Sequence, residues 1–273
     1  MPPRADVLPA ARLQVARLST VATIGAGVVV WCLLLAPVGA LARHLDGAGI
    51  RTALHRPDAL DPLRVSLESA AIVVTVLVVV TGPFAYLLAR RRLPFPWLWE
   101  GATLLALMMP PLVIGLLLIF VIGPLTPFGR GLDHVHLSAT NTFLGLVIAE
   151  LYESAPYFIL GAQAAFESVD RRLEEQAAML GDRPGRVLRR VTLPQAAPGL
   201  AMAFATAWAR AIGAYGAVMI VAYHPYGLPM IVYVTLQESG LASALPYAAL
   251  LLLVALPLPL LAYAWTARAR RAR

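Results

Sequence analysis

Apolar residues along this chain come in long runs rather than in narrow stripes. A helix needs about 20 mostly apolar residues to cross a bilayer. Six stretches reach that length: roughly Ser19–Leu41, Ser66–Leu88, Ala102–Gly123, Thr140–Ala162, Gly199–Ala222 and Leu245–Thr266. In hydrocarbon every backbone N–H and C=O must find a partner, so an isolated run of this kind is predicted to be a helix. The pattern predicts an all-α, polytopic membrane bundle of about six transmembrane helices over residues 19–266. An N-terminal tail, 1–18, and a short basic tail, 267–273, flank it. The first run follows Arg4, Arg12 and Arg17, as a signal peptide would. It exceeds the ~7–15 apolar residues of a signal core, so an uncleaved first span is expected.

Composition narrows the class. Of 273 residues 59% are hydrophobic, only 14% are charged, and the mean hydropathy is +0.73. A soluble domain carries about 25% charged residues, so this chain is predicted to be dissolved in lipid. Its formal charge is +7, and all 22 basic residues are arginine. The arginines sit in short clusters beside the apolar runs, which argues against a nucleic-acid partner and for orientation by charge.

Arg4, Arg12, Arg17, Arg90, Arg91, Arg92, Arg171, Arg172, Arg183, Arg186, Arg189, Arg190, Arg268, Arg270, Arg271 and Arg273 fall on one side of the six-span arrangement. Arg43, Arg51, Arg56, Arg64 and Arg130 fall on the other. This bias predicts both termini in the cytoplasm. Segments 43–65, 124–139 and 223–244 are then expected as outer loops.

Candidate chemistry is sparse. Cys32 is the single cysteine and has no partner for a disulfide. His134 and His136 lack further ligands at metal-binding spacing, so no metal site is expected. The chain has no lysine and therefore no Walker-type phosphate loop of its own. No nucleophile–base pair accompanies its acidic residues, which weighs against a membrane-embedded enzyme.

Four positions inside the runs are costly in lipid. Glu150 is expected midway along the fourth span, Glu153 one turn further on, and Arg210 midway along the fifth. A lone charge there costs roughly 2.5–3.5 kcal/mol on insertion scales, so Arg210 is predicted to pair with Glu150 or Glu153. The pair could simply fix the bundle, or Arg210 could also bias a pathway towards anions. The fourth position is the Pro110–Pro111 pair, which removes two helical hydrogen bonds and should kink the third span. Gly115 leaves room for another helix. A packing kink and a gate near the pathway are both compatible with the pair.

The longest arginine-rich loop, residues 163–198, has its own local logic. Arg171 to Leu180 is rich in helix formers. Gly181 can take the left-handed conformation that stops a helix, and Asp182 could cap the next one. Pro184 suits the first turn of that second helix. There Val187, Leu188 and Val191 share one face and Arg186, Arg189 and Arg190 lie towards the other. Pro194 is expected to end that helix, and Pro198 to precede the next span. Spacing alone leaves open a helix lying on anionic lipid or a knob for a partner protein.

The segment resembles the EAA loop of permease subunits in binding-protein-dependent ABC importers. That pattern runs Glu-Ala-Ala, three residues, Gly, nine residues, a branched apolar residue, any residue, then Leu-Pro. Glu175, Ala177, Gly181, Val191, Leu193 and Pro194 fall on it in register, with Gln176 at the first Ala position. The likeness extends over roughly residues 66–266. It includes Met109–Gly115, with its paired prolines, and Ser154–Tyr157 and Ala164–Asp170 on the approach to the loop. Arg210-Ala-Ile-Gly213-Ala-Tyr215-Gly216-Ala217 is similar to the Arg-Ala-Leu-Gly-Glu-Phe-Gly-Ala stretch of sulfate, molybdate and tungstate permeases, with Ala214 in place of Glu.

The resemblance implies a bacterial or archaeal inner-membrane permease, expected as a homodimer, that carries a small oxyanion delivered by a periplasmic or lipid-anchored binding protein. The loop would be the coupling helix that docks on a cytoplasmic ATPase subunit. ATP and Mg would bind that partner, with no cofactor on this chain. Permeases for polyamines, thiamine, phosphonates or iron share much of the fifth-span pattern and remain the alternative. An unpowered channel would need no such loop.

Overall fold

The computed structural model describes residues 8–44, 60–135 and 137–271. Every regular element among them is helical. Residues 1–50 form one unit and residues 51–273 another.

The first unit contains α1, Leu8–His44. Its stretch Thr23–His44 is long and apolar enough to cross a membrane. The helix begins earlier than the expected span and takes in most of the predicted tail 1–18.

The second unit starts with α2, Asp61–Ala89. Pro62 occupies its first turn, where no amide hydrogen is missed. This is why α2 begins ahead of the predicted Ser66. Next come α3, Pro96–Met108, and α4, Pro111–Ile122, bent by 115° at the break between them. A single kinked third span was expected. Instead Met109 and Pro110 are both extended, with ψ of 133° and 136°, and two separate helices result. Pro111 clashes with a helical residue before it, which forces Pro110 out of the α region. Among the described residues, five helices are long and apolar enough to span, or six if this bent pair is one span.

Short helices replace two predicted outer loops. The first is α5, Pro127–His134, capped by the Thr126 hydroxyl, which accepts from Gly129 N at 2.9 Å. It ends at His134, while His136 lies outside the described residues. The second is α11, Leu228–Ser239, whose first amide donates to Ser66 Oγ at 2.8 Å.

Between them lie α6, Phe143–Glu167, then α7, Arg171–Met179, and α8, Pro184–Val187. The chain continues as α9, Leu193–Ile212, and α10, Gly216–Val221. It closes with α12, Leu241–Ala255, and α13, Pro257–Arg271.

Two buried clusters hold the second unit together. In the first, α2, α6 and α9 meet through small residues. A Cβ on Gly161 would lie 2.8 Å from the Ala203 Cβ, and one on Gly199 would lie 2.6 Å from the Ala165 Cβ. Each helix therefore offers glycine and alanine four residues apart, set against the other in reverse order. Close backbone approach of this kind replaces the hydrophobic driving force that lipid cannot supply. In the second cluster, α4, α6, α10 and α11 pack around Ile114, Leu146, Val218 and Met230.

Two of the long helical paths contain a π turn, at Leu77–Thr81 in α2 and at Leu188–Thr192 before α9. Each is followed after one residue by proline, Pro83 and Pro194. Proline lacks the amide hydrogen for the α-helical bond and crowds the carbonyl four residues back. A wide turn just before it relieves that conflict and lets the helix continue. Pro194 consequently does not end the second loop helix. The chain runs on from Pro184 to Val221 as one candidate span, with Pro198 inside α9.

Candidate functional site

The loop between α6 and α9 is built from its caps inward. The Asp170 carboxylate accepts from Arg172 N at 2.9 Å and starts α7. At the other end Gly181 N donates to Ala178 O at 3.0 Å, and Asp182 N donates to Ala177 O at 3.1 Å. This is the paired-bond C-terminus that requires a left-handed residue, and Gly181 supplies it with φ +92°. Pro184 opens α8 as expected. Asp182 was expected as a cap. It pairs instead with the Arg186 guanidinium one turn on, at 3.1 Å, because Arg183 holds the capping position.

Glu175 and Gln176 are exposed, Ala177 and Val191 are half-buried, and Leu193 and Pro194 face outward at the start of α9. Met179 and Leu180 stand 80% and 89% exposed beside Gly181, so the tip of the loop is apolar and uncovered.

The anchor of this loop is a pair of residues that sequence reasoning did not single out. The Arg90 guanidinium, at the end of α2, donates through Nη2 to Glu174 Oε1 at 2.5 Å and through Nη1 to Phe166 O at 3.0 Å. The Thr192 hydroxyl donates to the same Glu174 oxygen at 2.5 Å. The Arg90 side chain is 5% exposed and that of Glu174 is 16% exposed. One carboxylate thus ties α7 to the end of α2 and to the turn that leads into α9. Its sequence signal is modest: Glu174 and Ala177, three apart, share the half-buried face of α7.

The second polar group lies inside the bundle. Arg210 Nη2 donates to Glu153 Oε2 at 2.8 Å, and its guanidinium sits 5.2 Å from the Tyr157 ring centre. Of the two predicted partners, the structure selects Glu153. Glu150 accepts from Ser69 Oγ at 2.9 Å on one oxygen, and its other oxygen is buried without a partner among the described residues.

Arg210 is not midway along a helix but in the last turn of α9. Gly213, Ala214 and Tyr215 interrupt the helical path there. A helix end leaves carbonyls and amides unpaired. A cation near the last carbonyls and an anion near the next amides are the favourable arrangement. Arg210 takes the first place. Glu153 takes the second, since its Oε1 accepts from Ala217 N at 2.9 Å.

The broken segments pack on each other. A Cβ on Gly216 would lie 2.5 Å from the Pro111 Cβ, and one on Gly115 would lie 3.0 Å from the Ala217 backbone. The Pro110–Pro111 break and the Gly213–Gly216 break are therefore in contact through Pro111 and Gly216. Tyr215 adds a hydroxyl bond to Met219 Sδ at 3.1 Å and a ring contact with Tyr233, 5.3 Å between centres.

Residues 81–271 match the family described as binding-protein-dependent transport system inner membrane component. The chain belongs to that family. It is accordingly a multi-pass membrane transport subunit and not an enzyme. It is 35% identical over 241 residues to a probable molybdenum ABC transporter permease protein of Haloferax volcanii, covering 88% of this chain and 87% of that one. It is 30% identical over 203 residues to a molybdate/tungstate transport system permease protein of Thermococcus kodakarensis, covering 74% and 77%. A probable sulfate transport system permease protein of Nephroselmis olivacea is 29% identical over 245 residues, covering 87% and 86%.

Among solved structures, this component resembles a bacterial ABC transporter involved in import of the acidic polysaccharide alginate. The TM-score is 0.70, with 15% identity over 93% of this chain and 97% of that one. That likeness concerns the fold alone. The family match starts at residue 81, so the Leu77–Thr81 turn stands at its N-terminal edge.

Proposed function

We propose that this permease subunit forms the membrane pathway of an ATP-driven importer for a small tetrahedral oxyanion: molybdate, tungstate or sulfate. The observation that carries the substrate class is the 35% identity, over nearly the whole chain, to a permease named for molybdenum. The polar interior is compatible with anionic cargo. Arg210 is one-third exposed, its Nε has no partner among the described residues, and it stands where two helix breaks meet. Pro110, Pro111, Gly115, Gly213, Tyr215 and Gly216 would line or support the pathway at those breaks.

The subunit sits in the cytoplasmic (inner) membrane with both termini inside, and pairs with a second copy across the pathway. A binding protein delivers the anion from outside. The loop from Glu175 to Pro194 docks on a cytoplasmic ATPase subunit, where ATP and Mg bind. Two features support that docking role: the exposed Met179–Leu180 tip and the rigid Arg90–Glu174–Thr192 anchor behind it. ATPase closure would push on α7, and the anchor would pass the movement to α2 and α9.

Uptake by the reconstituted permease, ATPase and cognate binding protein tests this reading. Labelled molybdate, tungstate and sulfate should enter only with ATP, and at least one should outcompete phosphate and thiamine. Gly181→Val and Glu175→Lys should each lower ATPase co-purification and uptake together. Preferred uptake of a cation or a neutral solute would remove the oxyanion assignment. Full coupled uptake in both variants would remove the docking assignment.

A further inference from the structure

The arginine face of the second loop helix and an apolar groove beside it share one turn of backbone, in the part of the docking loop that leads into α9, beyond the exposed Met179–Leu180 tip. The groove holds about 500 Å³, within the range of about 300–1,000 Å³ that bound small molecules occupy. Val78, Phe158, Leu188, Leu193, Leu200 and Phe204 line it. Both π turns contribute to its wall: Val78 comes from one, and Leu188 from the other. At Gly82, on the same wall, an added Cβ would meet nothing within 4 Å, so the groove is open there.

Leu193 N donates to Leu188 O across the second π turn. That five-residue bond stacks Leu188 and Leu193 on one side. Arg189 follows Leu188 directly, and a hollow of about 630 Å³ lined by Gly185, Arg186, Arg189 and Arg190 adjoins this turn. Arg186 is committed to Asp182. Arg189 and Arg190 are exposed, and among the described residues no carboxylate forms an ion pair with either.

We propose that this turn is a binding site for an anionic phospholipid, with its phosphate on Arg189 and Arg190 and an acyl chain along Leu188, Leu193 and Leu200. Charge complementarity selects the headgroup, because uncommitted guanidinium groups bind phosphate oxygens through paired N–H donors. The groove selects the tail, because its lining offers a hydrocarbon chain partners along its length and offers water almost none. A free phosphate would leave the groove unused, and a neutral lipid would leave the arginines unused. An amphiphile with a negative head uses both. The site depends on the membrane-spanning fold and not on which solute is carried.

Native mass spectrometry of the full-length permease in complex with its ATPase, titrated with phosphatidylglycerol or phosphatidylcholine, tests the site. Wild type should retain one phosphatidylglycerol per permease chain with about 30-fold preference over phosphatidylcholine, given two arginines at the headgroup. The double variant Arg189→Gln/Arg190→Gln should lose most of that preference, and Arg189→Lys/Arg190→Lys should recover much of it. Ala201→Trp, which fills the groove, should lower retention of both lipids. If that variant fails to assemble, Ala201→Ile should show a smaller loss of the same kind. Equal retention of the two lipids by wild type would overturn the proposal. So would unchanged preference in the glutamine variant, or displacement of phosphatidylglycerol by inorganic phosphate. An Ala201→Cys variant that crosslinks to a second copy in native membranes would assign the groove to a protein interface and overturn it as well.

Discussion

Glu174 and Arg90, 84 residues apart, form a 2.5 Å ion pair at the base of the loop, and Thr192 shares the same carboxylate oxygen. The pair is largely removed from water, and Arg90 Nε has no further partner among the described residues. Taking one member away strands the other. Glu174→Ala is therefore expected to cost about 3–5 kcal/mol, the range for breaking a buried pair. Glu174→Gln should cost less, since its amide oxygen can still accept from Thr192. Thermal unfolding of the purified complex gives the ranking, and protease sensitivity between Arg171 and Arg190 reports the loop itself. A Glu174→Ala variant as resistant as wild type would show that the loop is held by something else.

The Arg210–Glu153 pair is asymmetric. Glu153 is 1% exposed and Arg210 is 33% exposed. Arg210→Gln leaves a buried carboxylate without its charge partner. Glu153→Gln leaves an arginine that still reaches solvent and the Tyr157 ring. Arg210→Gln should thus be the more destabilising change, by about 1–2 kcal/mol, within the range measured for coupled neighbours. Melting of the two variants in matched detergent decides it, and the reverse order would falsify the role given to exposure.

Crowding at the α6–α9 contact should be nearly as costly as loss of charge. Gly199→Leu drives a side chain into Ala165, and Gly161→Leu drives one into Ala203. Overpacking of this kind costs about 1–3 kcal/mol or more. Ala165→Gly should partly rescue Gly199→Leu and should not rescue Gly161→Leu. Yield of folded protein by fluorescence-detected gel filtration checks both; equal rescue of the two would argue against the reciprocal packing.

At Gly181 the expected effect is conformational rather than steric. An added Cβ meets nothing within 4 Å, yet φ is +92°. Gly181→Ala should weaken the loop by about 1–2 kcal/mol, the left-handed penalty for an L-residue, and Gly181→Asn by less. Hydrogen exchange at the amides of Gly181 and Asp182 provides the measurement. Unchanged protection in Gly181→Ala would mean that the turn tolerates an L-residue at this φ.

The legible parts of this molecule are those in which one residue type has one physical use. Glycine at 181 and proline at 184 each permit or forbid a backbone conformation, so the loop can be drawn from them directly. The Pro110–Pro111 break is legible as a break, but its 115° angle depends on how Gly216 and Ala217 receive α4. Glu174 is hidden beside Glu175, because two adjacent carboxylates on a short helix differ only in what they touch. Arg90 is legible as one of a topology-setting cluster, and its partner lies in a distant part of the chain. The choice of Glu153 over Glu150 turns on Ser69, an ordinary serine in an apolar run. The short helices α5 and α11 escape a hydropathy reading because their segments are short, broken by proline and flanked by polar residues.

The π turn at Leu188–Thr192 also fixes an angular phase. Each residue advances a helix by roughly 100°, so removing one from the turn would rotate everything beyond it by about that much. Gly199 and Ala203 would then swing away from Ala165 and Gly161 while Arg186 and Pro184 stayed in place. The single extra residue is what lets one continuous rod present its charged side in one direction at the loop and its smooth side in another inside the bundle.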